Sequence, residues 1–239
     1  MLRIKSQKVI EIFFVLDFDR TLGNTDLLFD IFQSVTETNT SFSVNQLAAG
    51  RREVESKGES FDVIDYVKSE LSSDNKSSVW HGIEGLFIKS SNQADCMMPG
   101  AQELLAILDE THKSYGILTY GGEQWQTLKI KATGLTYVPM LVTDSYAKGK
   151  LISTWRQPDG TFQIPDSLSK GQGLIAKKIV LIDDKKQNFD HLPANCTGFY
   201  IVGKTTYTDN KFSKPPKGVI EVENLLEVIS LLDHDIDKA

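Results

Sequence analysis

Two hydrophobic rhythms alternate along the chain. Near its start, Val9-Ile10-Glu11-Ile12-Phe13-Phe14-Val15-Leu16 is a short run of mostly β-branched and aromatic residues, closed by Asp17-Phe18-Asp19. Such a run predicts a buried strand. From about Thr25 to Ser91 the rhythm becomes helical. One helix is predicted over 26–35, carried by Leu27, Leu28, Phe29, Ile31 and Phe32. A second covers 44–54 behind Ser43, a candidate N-cap. A third holds Phe61, Val63, Ile64, Tyr66, Val67 and Leu71, and a fourth spans about 78–88. Helices without intervening strands predict a helical unit inserted after the first strand.

An α/β rhythm resumes at Met98-Pro99-Gly100. A helix with Leu104, Leu105, Ile107 and Leu108 leads to a second strand, Tyr115-Gly116-Ile117-Leu118, which runs into Thr119-Tyr120-Gly121-Gly122. A helix over 123–132 stops at Gly134, a natural C-terminal cap. A third strand is expected over 138–142, and a hairpin over 151–164 with Pro158-Asp159-Gly160 as its turn. A fourth strand, Ile179-Val180-Leu181-Ile182, again ends in two acids, Asp183 and Asp184. A fifth lies at about 199–202, and a last helix holds Val222, Leu225, Leu226, Val228, Ile229 and Leu232 before a polar, frayed end at 233–239. Strands alternating with helices predict an α/β fold, a parallel sheet covered on both faces. The expected organisation is a core of 1–23 and 96–239, with helices of 24–95 inserted.

Composition narrows the function classes. The 239 residues are 40% hydrophobic and 24% charged, ordinary globular values. No run of eighteen apolar residues occurs, and the N-terminal residues 1–5 lack a signal-peptide profile, so no membrane span is expected and the protein is read as cytoplasmic. The net charge of −6 argues against a nucleic-acid-binding surface, though it leaves room for an anionic small substrate. Cys96 and Cys196 are read as reduced thiols.

The candidate chemistry lies at strand ends. Strand one offers Asp17 and Asp19, strand two Thr119, and strand four Asp183 and Asp184. The carboxyl ends of parallel strands share one edge of the sheet, so these groups can converge. Side chains alternate along a strand, so Asp17 and Asp19 would point the same way if the extension continued. Carboxylates gathered there repel unless a cation or a shared proton intervenes. Oxygen-only ligands suit magnesium, which prefers one or two carboxylates beside a phosphate.

Asp-x-Asp-x-Thr after strand one, a threonine after strand two, a lysine, and an acid pair after strand four make a motif order that resembles the haloacid dehalogenase-like (HAD) hydrolases, over about Val9 to Val202. Met98-Pro99-Gly100-Ala101-Gln102-Glu103-Leu104-Leu105 is similar to that family's return from a helical cap to its Rossmann-like core. The resemblance implies a magnesium-dependent phosphatase with a type-one helical cap that closes over a small phosphorylated metabolite and sets specificity. It assigns Asp17 as the nucleophile that forms an aspartyl-phosphate, and Asp19 as the acid that protonates the leaving oxygen and then activates water. Thr119 would hold the transferring phosphoryl oxygens, aided by the N–H of Tyr120. Asp17, the backbone carbonyl of Asp19, Asp183 and Asp184 would bind Mg2+. The lysine that neutralises nucleophile and phosphate is assigned first to Lys170, with Lys148 and Lys150 next and Lys178 last. Dehalogenases of this fold lack the acid at the Asp19 position. A phosphomutase and a catalytically idle binding module are the alternatives.

Other residues divide between packing and function. Asn188 either bonds the acids of the metal site or lies on a helix surface. Arg20 could touch substrate. His81, His112, His191 and His234 show no ligand spacing. Trp80, Trp125 and Trp155 read as packing anchors, with Trp125 also able to border the pocket. Arg51-Arg52-Glu53-Val54-Glu55 reads as a solvated helix face. The sequence sets neither substrate identity nor oligomeric state.

Overall fold

The computed structural model describes residues 8–40, 43–56, 62–71, 76–145, 147–202 and 215–236. Strand β1 (Lys8–Leu16) is followed by helices α1 (Thr25–Asn39), α2 (Val44–Ser56), α3 (Val63–Glu70) and α4 (Lys76–Gln93). Helix α5 (Ala101–Glu110) leads to β2 (Ser114–Tyr120), α6 (Glu123–Ala132), β3 (Met140–Thr143), α7 (Lys148–Thr154), β4 (Phe162–Gln163) and α8 (Asp166–Ser169). Then come β5 (Leu174–Asp183), a 3-10 turn (Lys186–Phe189), β6 (Cys196–Ile201), β7 (Val219–Val222) and α9 (Leu225–Ile236). The chain forms two compact units: Met1–Leu22, Met98–Thr119 and Val138–Ala239 make one, Gly23–Met97 and Tyr120–Tyr137 the other.

The first unit is built on a mostly parallel sheet in the order β3-β2-β1-β5-β6-β7, with β4 antiparallel to β5. Strand β1 sits between β2 and β5, and it is the most apolar segment of the chain's first half. Both of its faces are covered. Phe13 and Val15 join Ile179, Leu181, Ile152, Trp155 and Phe162 in one cluster. The alternate residues Phe14 and Leu16 are equally buried. Burial on both faces is what a near-continuous hydrophobic run predicts for a parallel strand. Helices α5 and α9 pack together, and Gly100 permits it: at φ 84° it caps α5, and a Cβ there would lie 2.9 Å from the Leu226 amide nitrogen.

The second unit is helical. Helix α1 starts where Asn24 accepts a hydrogen bond from the Leu27 amide at 3.1 Å, and α3 where Asp62 accepts from Ile64 and Asp65. Ser43, expected to cap α2, donates its own amide to the Gln46 side chain at 2.8 Å. Helix α1 packs on α4, and α6 packs on α4 and α3. The centre is aromatic: the Phe32 ring lies 5.1 Å from Trp125 and 5.6 Å from Phe87, edge-on to the latter. Helix α6 thus belongs with the helices, whereas the sequence rhythm places it with the α/β core. Its Trp125, Leu128 and Ile130 find their apolar partners there rather than on the sheet.

Several elements differ from the sequence expectation. The hairpin over 151–164 is absent. Its first arm is helix α7, and only Arg156 pairs antiparallel with Phe162 across the expected Pro158-Asp159-Gly160 turn. Leu151 and Ile152 are the only strong apolar pair in that arm, too little to separate a helix from a strand. Strand β7 has no counterpart in the expected elements. Phe61 of the expected third helix, residues 1–5 and residues 237–239 lie outside the described residues. Both cysteines are free and buried. Burial pushes the Cys196 thiol up to about 12. Among the described residues, no helix is long and apolar enough to cross a membrane.

Candidate active site

Sheet register gathers the acids. In the parallel pairings Leu16 lies opposite Ile182 on β5 and opposite Ile117 on β2. The residue after β1 is Asp17, the next on β5 is Asp183, and two further on β2 is Thr119. Adjacent strands are about 4.8 Å apart, so three separate segments deliver polar groups to one edge. This edge is where the chain order reverses, with β2 and β3 on one side of β1 and β5, β6 and β7 on the other. Open α/β sheets bind ligands at such a switch point.

One oxygen each from Asp17, Asp183 and Asp184 lies within 4.8 Å of the others. Asp17 and Asp183 are buried and Asp184 half-buried. The amide of Asp17 donates to the Ile182 carbonyl at 2.9 Å, which fixes its backbone. The chain then turns, with Leu22 N–H bonding Phe18 C=O at 3.0 Å and Arg20 held at φ 60°. The extension therefore stops at Asp17, and Asp19 does not follow it into the acid group. Asp19 instead accepts a hydrogen bond from the fully buried Thr119 hydroxyl at 3.5 Å.

Lys148, the first residue of α7, balances these charges. Its ammonium donates to Asp17 Oδ1 and, at 2.7 Å, to Asp183 Oδ2. The lysine side chain is 1% exposed. Asp183 Oδ1 accepts from the Lys185 amide and from Asn188 Nδ2, both at 2.8 Å. Asn188 is thus buried against the acids, and not on a helix surface. Gly149 makes the arrangement possible. Helix α7 packs on the 3-10 turn so closely that a Cβ at Gly149 would sit 2.4 Å from the Asp190 carbonyl oxygen.

Lys170, the residue to which the motif order first assigns the lysine role, is elsewhere. It is exposed at the left-handed C-cap that follows α8, and Lys150 and Lys178 are exposed as well. Lys148 and Lys150 are near neighbours in one short helix, and only the helical phase turns the first of them inward. His81, His112 and His191 are exposed, and none joins the acid group; the His234 side chain lies outside those described. Trp125 and Trp155 are packing residues, each 7% exposed, and Trp80 is half-buried against Phe32.

Electrostatics mark the group as strained in its charged form. Burial, reinforced by Asp183 and Asp19 and opposed by Lys148, raises the Asp17 carboxyl to about 6. Burial, then Asp17 and Asp183, holds Asp184 well above the usual carboxylate range. Burial alone would lower the Lys148 ammonium, yet its two carboxylates raise it on balance. Two oxygens, Asp17 Oδ2 and Asp184 Oδ1, are buried with no hydrogen-bond partner among the described residues. Unsatisfied carboxylate oxygens that close together fit a hard divalent cation, which takes oxygen ligands and offsets their repulsion. Asp17, Asp183 and Asp184 are the side chains that would hold it.

No family model matches the sequence, and no curated protein matches it in sequence. Solved structures do match the fold. A protein assigned to the haloacid dehalogenase-like hydrolases from Burkholderia xenovorans LB400 superposes with a TM-score of 0.60 at 18% identity, covering 94% of this chain and 97% of its own. A HAD-hydrolase assignment from Bacillus subtilis, YfnB, crystallised with magnesium bound, gives 0.54 at 13% identity over 95% and 100% of the two chains. A hydrolase from Pseudomonas syringae gives 0.51 at 17% identity over 94% and 99%. With its parallel sheet and the strand ends it brings together, this chain has the fold of the haloacid dehalogenase-like hydrolases.

Proposed function

We propose that the protein is a magnesium-dependent phosphatase that hydrolyses a small phosphorylated metabolite through an aspartyl-phosphate on Asp17. The observation that carries this reading is the setting of Asp17. One of its oxygens is held by Lys148, the other is buried with no hydrogen-bond partner among the described residues, and a carboxylate oxygen of Asp17 lies within 4.8 Å of one from each of Asp183 and Asp184. A carboxylate so placed is oriented, and its negative charge is offset on one side only. When bound at Asp17, Asp183 and Asp184, Mg2+ would shield phosphate charge from the incoming carboxylate.

Asp17 attacks phosphorus, and the bond from phosphorus to the leaving alcohol oxygen breaks. Asp19 supplies the proton to that oxygen. It then takes a proton from water as the water attacks phosphorus and the bond to Asp17 breaks. The Thr119 hydroxyl, now bonded to Asp19, keeps that carboxylate oriented and lies ready for a phosphoryl oxygen. Lys148 stabilises the anion at Asp17 and, through Asp183, fixes the acid behind it.

The test is turnover of a panel of phosphate monoesters with and without Mg2+, for the native chain and Asp17→Asn. Mg2+-dependent release of inorganic phosphate, abolished in a folded Asp17→Asn protein, is the expected result. Full activity in that variant removes Asp17 from the nucleophile role. Interconversion of sugar phosphate isomers without phosphate release would replace water by a sugar as acceptor. No turnover across the panel would make the chain a binding module.

A further inference from the structure

One crossing of the chain between its two units falls at the peptide bond from Thr119 to Tyr120. On the α/β side, Thr119 is fully buried and donates its hydroxyl to Asp19. The pairing of β2 with β1 runs only to Ile117, two residues short of it. On the helical side, Tyr120 is followed by Gly121 and Gly122, and then by α6. Gly121 stands at φ 139°, a conformation that side chains rarely adopt, and Gly122 is an N-cap with no side chain to bond the helix start. Two glycines are the most permissive backbone a chain can place beside a functional residue. By itself such a turn holds its neighbours loosely.

Gln126, one turn into α6, reaches back across it. The residue is 2% exposed, and its side-chain Nε2 donates to the Tyr120 carbonyl at 2.6 Å. Its backbone N–H is engaged in the helix, bonding the Gly122 carbonyl at 3.0 Å, so the tie to Tyr120 belongs to the side chain. Helix α6 is in turn fixed from two sides. A Cβ at Gly122 would fall on the carboxylate of Asp62, the cap of α3, and Gln124 bridges Asp65 and Lys68 of that helix. Trp125 packs on Phe32 and Phe87, and Lys131 pairs with Glu84 of α4 at 2.8 Å. The Tyr120 carbonyl is thus held by a well-packed helix, one residue from the threonine assigned to the phosphoryl oxygens.

We propose that Gln126 is a positioning residue: it fixes the Tyr120 carbonyl, and with it the turn of 120–122, so that Thr119 keeps its hydroxyl aimed at Asp19 and at a phosphoryl oxygen. This role rests on the phosphatase reading. Gln126 touches no reacting atom and acts through Thr119. Groups that act on a transition state need such supporting hydrogen bonds, because small displacements cost rate steeply.

The experiment joins hydrogen exchange to kinetics in the full chain. In the native protein the Gln126 side-chain amide protons should exchange far more slowly than those of the exposed Gln102. Equal rates would overturn the tie. Gln126→Met keeps a side chain of similar length and removes the donor. In the folded variant, amide exchange should quicken in a peptide covering 119–122 and stay native in one covering 179–183. Unchanged exchange at 119–122 would overturn the proposal. In phosphate release, Gln126→Met should lower kcat roughly tenfold, short of the hundredfold that a 1 Å displacement can cost, with KM little changed. In a Thr119→Ala background the same substitution should cost nothing further, because its effect passes through Thr119. An equal loss in both backgrounds would make Gln126 a structural residue only and overturn the proposal. A native chain that releases no phosphate would end the phosphatase reading, and the two exchange measurements would then decide the tie by themselves.

Discussion

Lys148 is one cation facing two buried carboxylates, and both of its contacts lie where water is excluded. Removing one partner of a buried ion pair leaves an uncompensated charge, at a cost of about 3–5 kcal/mol. Lys148→Ala should therefore lower stability by about that amount in metal-free solution and reduce phosphatase turnover about a hundredfold or more. Lys170→Ala, at an exposed helix end, should stay within about 0.5 kcal/mol of the native chain and keep its activity. Chemical denaturation and phosphate release check both. If Lys170→Ala abolished turnover and Lys148→Ala did not, the two lysines would exchange roles. The acids were legible in the sequence because each ends an apolar run, and a strand end is a place that a linear pattern can mark. The lysine was not, because Lys148, Lys150 and Lys170 lie between β3 and β5 and Lys178 lies within β5, and composition cannot say which one the fold turns inward. Asn188 stayed ambiguous for the same reason. Its bond to Asp183 depends on a single 3-10 turn.

At the scale of elements, the seat of α7 is decided by backbone contact. With Gly149 beside the Asp190 carbonyl, any side chain forces α7 away from the 3-10 turn, and Lys148 and Asn188 move with the two elements. Gly149→Ala should cost about 1–3 kcal/mol, as overpacking does, and should depress kcat although it touches no reacting group. Restored kcat in a stabilised background would argue for a purely structural effect. In the helical unit, Trp125→Ala removes a ring from the contact of Phe32 and Phe87 and should cost about 3–5 kcal/mol, measured by denaturant unfolding. Long helices such as α1 and α4 were legible from repeated apolar positions. Strand β7 was not, since Val219–Val222 is four residues long and buries only its two end valines. The place of α6 was also illegible, because an amphipathic helix shows which face is apolar without naming its partner.

For the molecule as a whole, the order of strands gathers acids from separate segments into one candidate cation site. A parallel sheet was predictable from the alternation of strands and helices; the strand order was not, and it is the pairing of β1 with β5 that sets Asp17 beside Asp183 and Asp184, within 4.8 Å. Burial, with the neighbouring acids adding to it and Lys148 opposing, makes the ionised form of Asp17 costly in the metal-free fold. Asp17 titrates at about 6 in the folded chain, above its ordinary 3.8. Between those values the folded state binds more protons than the unfolded state. The stability contributed by the protonated group is therefore full below about 4 and is lost as pH rises through about 6. A divalent cation acts in the opposite sense. At pH 7.5 it meets an ionised Asp17 and relieves the repulsion, whereas at pH 5 it must displace a proton. Saturating Mg2+ should thus raise the unfolding midpoint more at pH 7.5 than at pH 5, and at a hundred times its dissociation constant the gain should approach ~2.7 kcal/mol. Asp184→Asn, which removes one of the carboxylates proposed to hold the cation, should shrink the gain at pH 7.5. Differential scanning calorimetry at the two pH values, with chelator as reference, measures each quantity. An equal Mg2+ effect at both pH values, or one that survives Asp184→Asn undiminished, would place the cation somewhere other than the edge shared by β1 and β5.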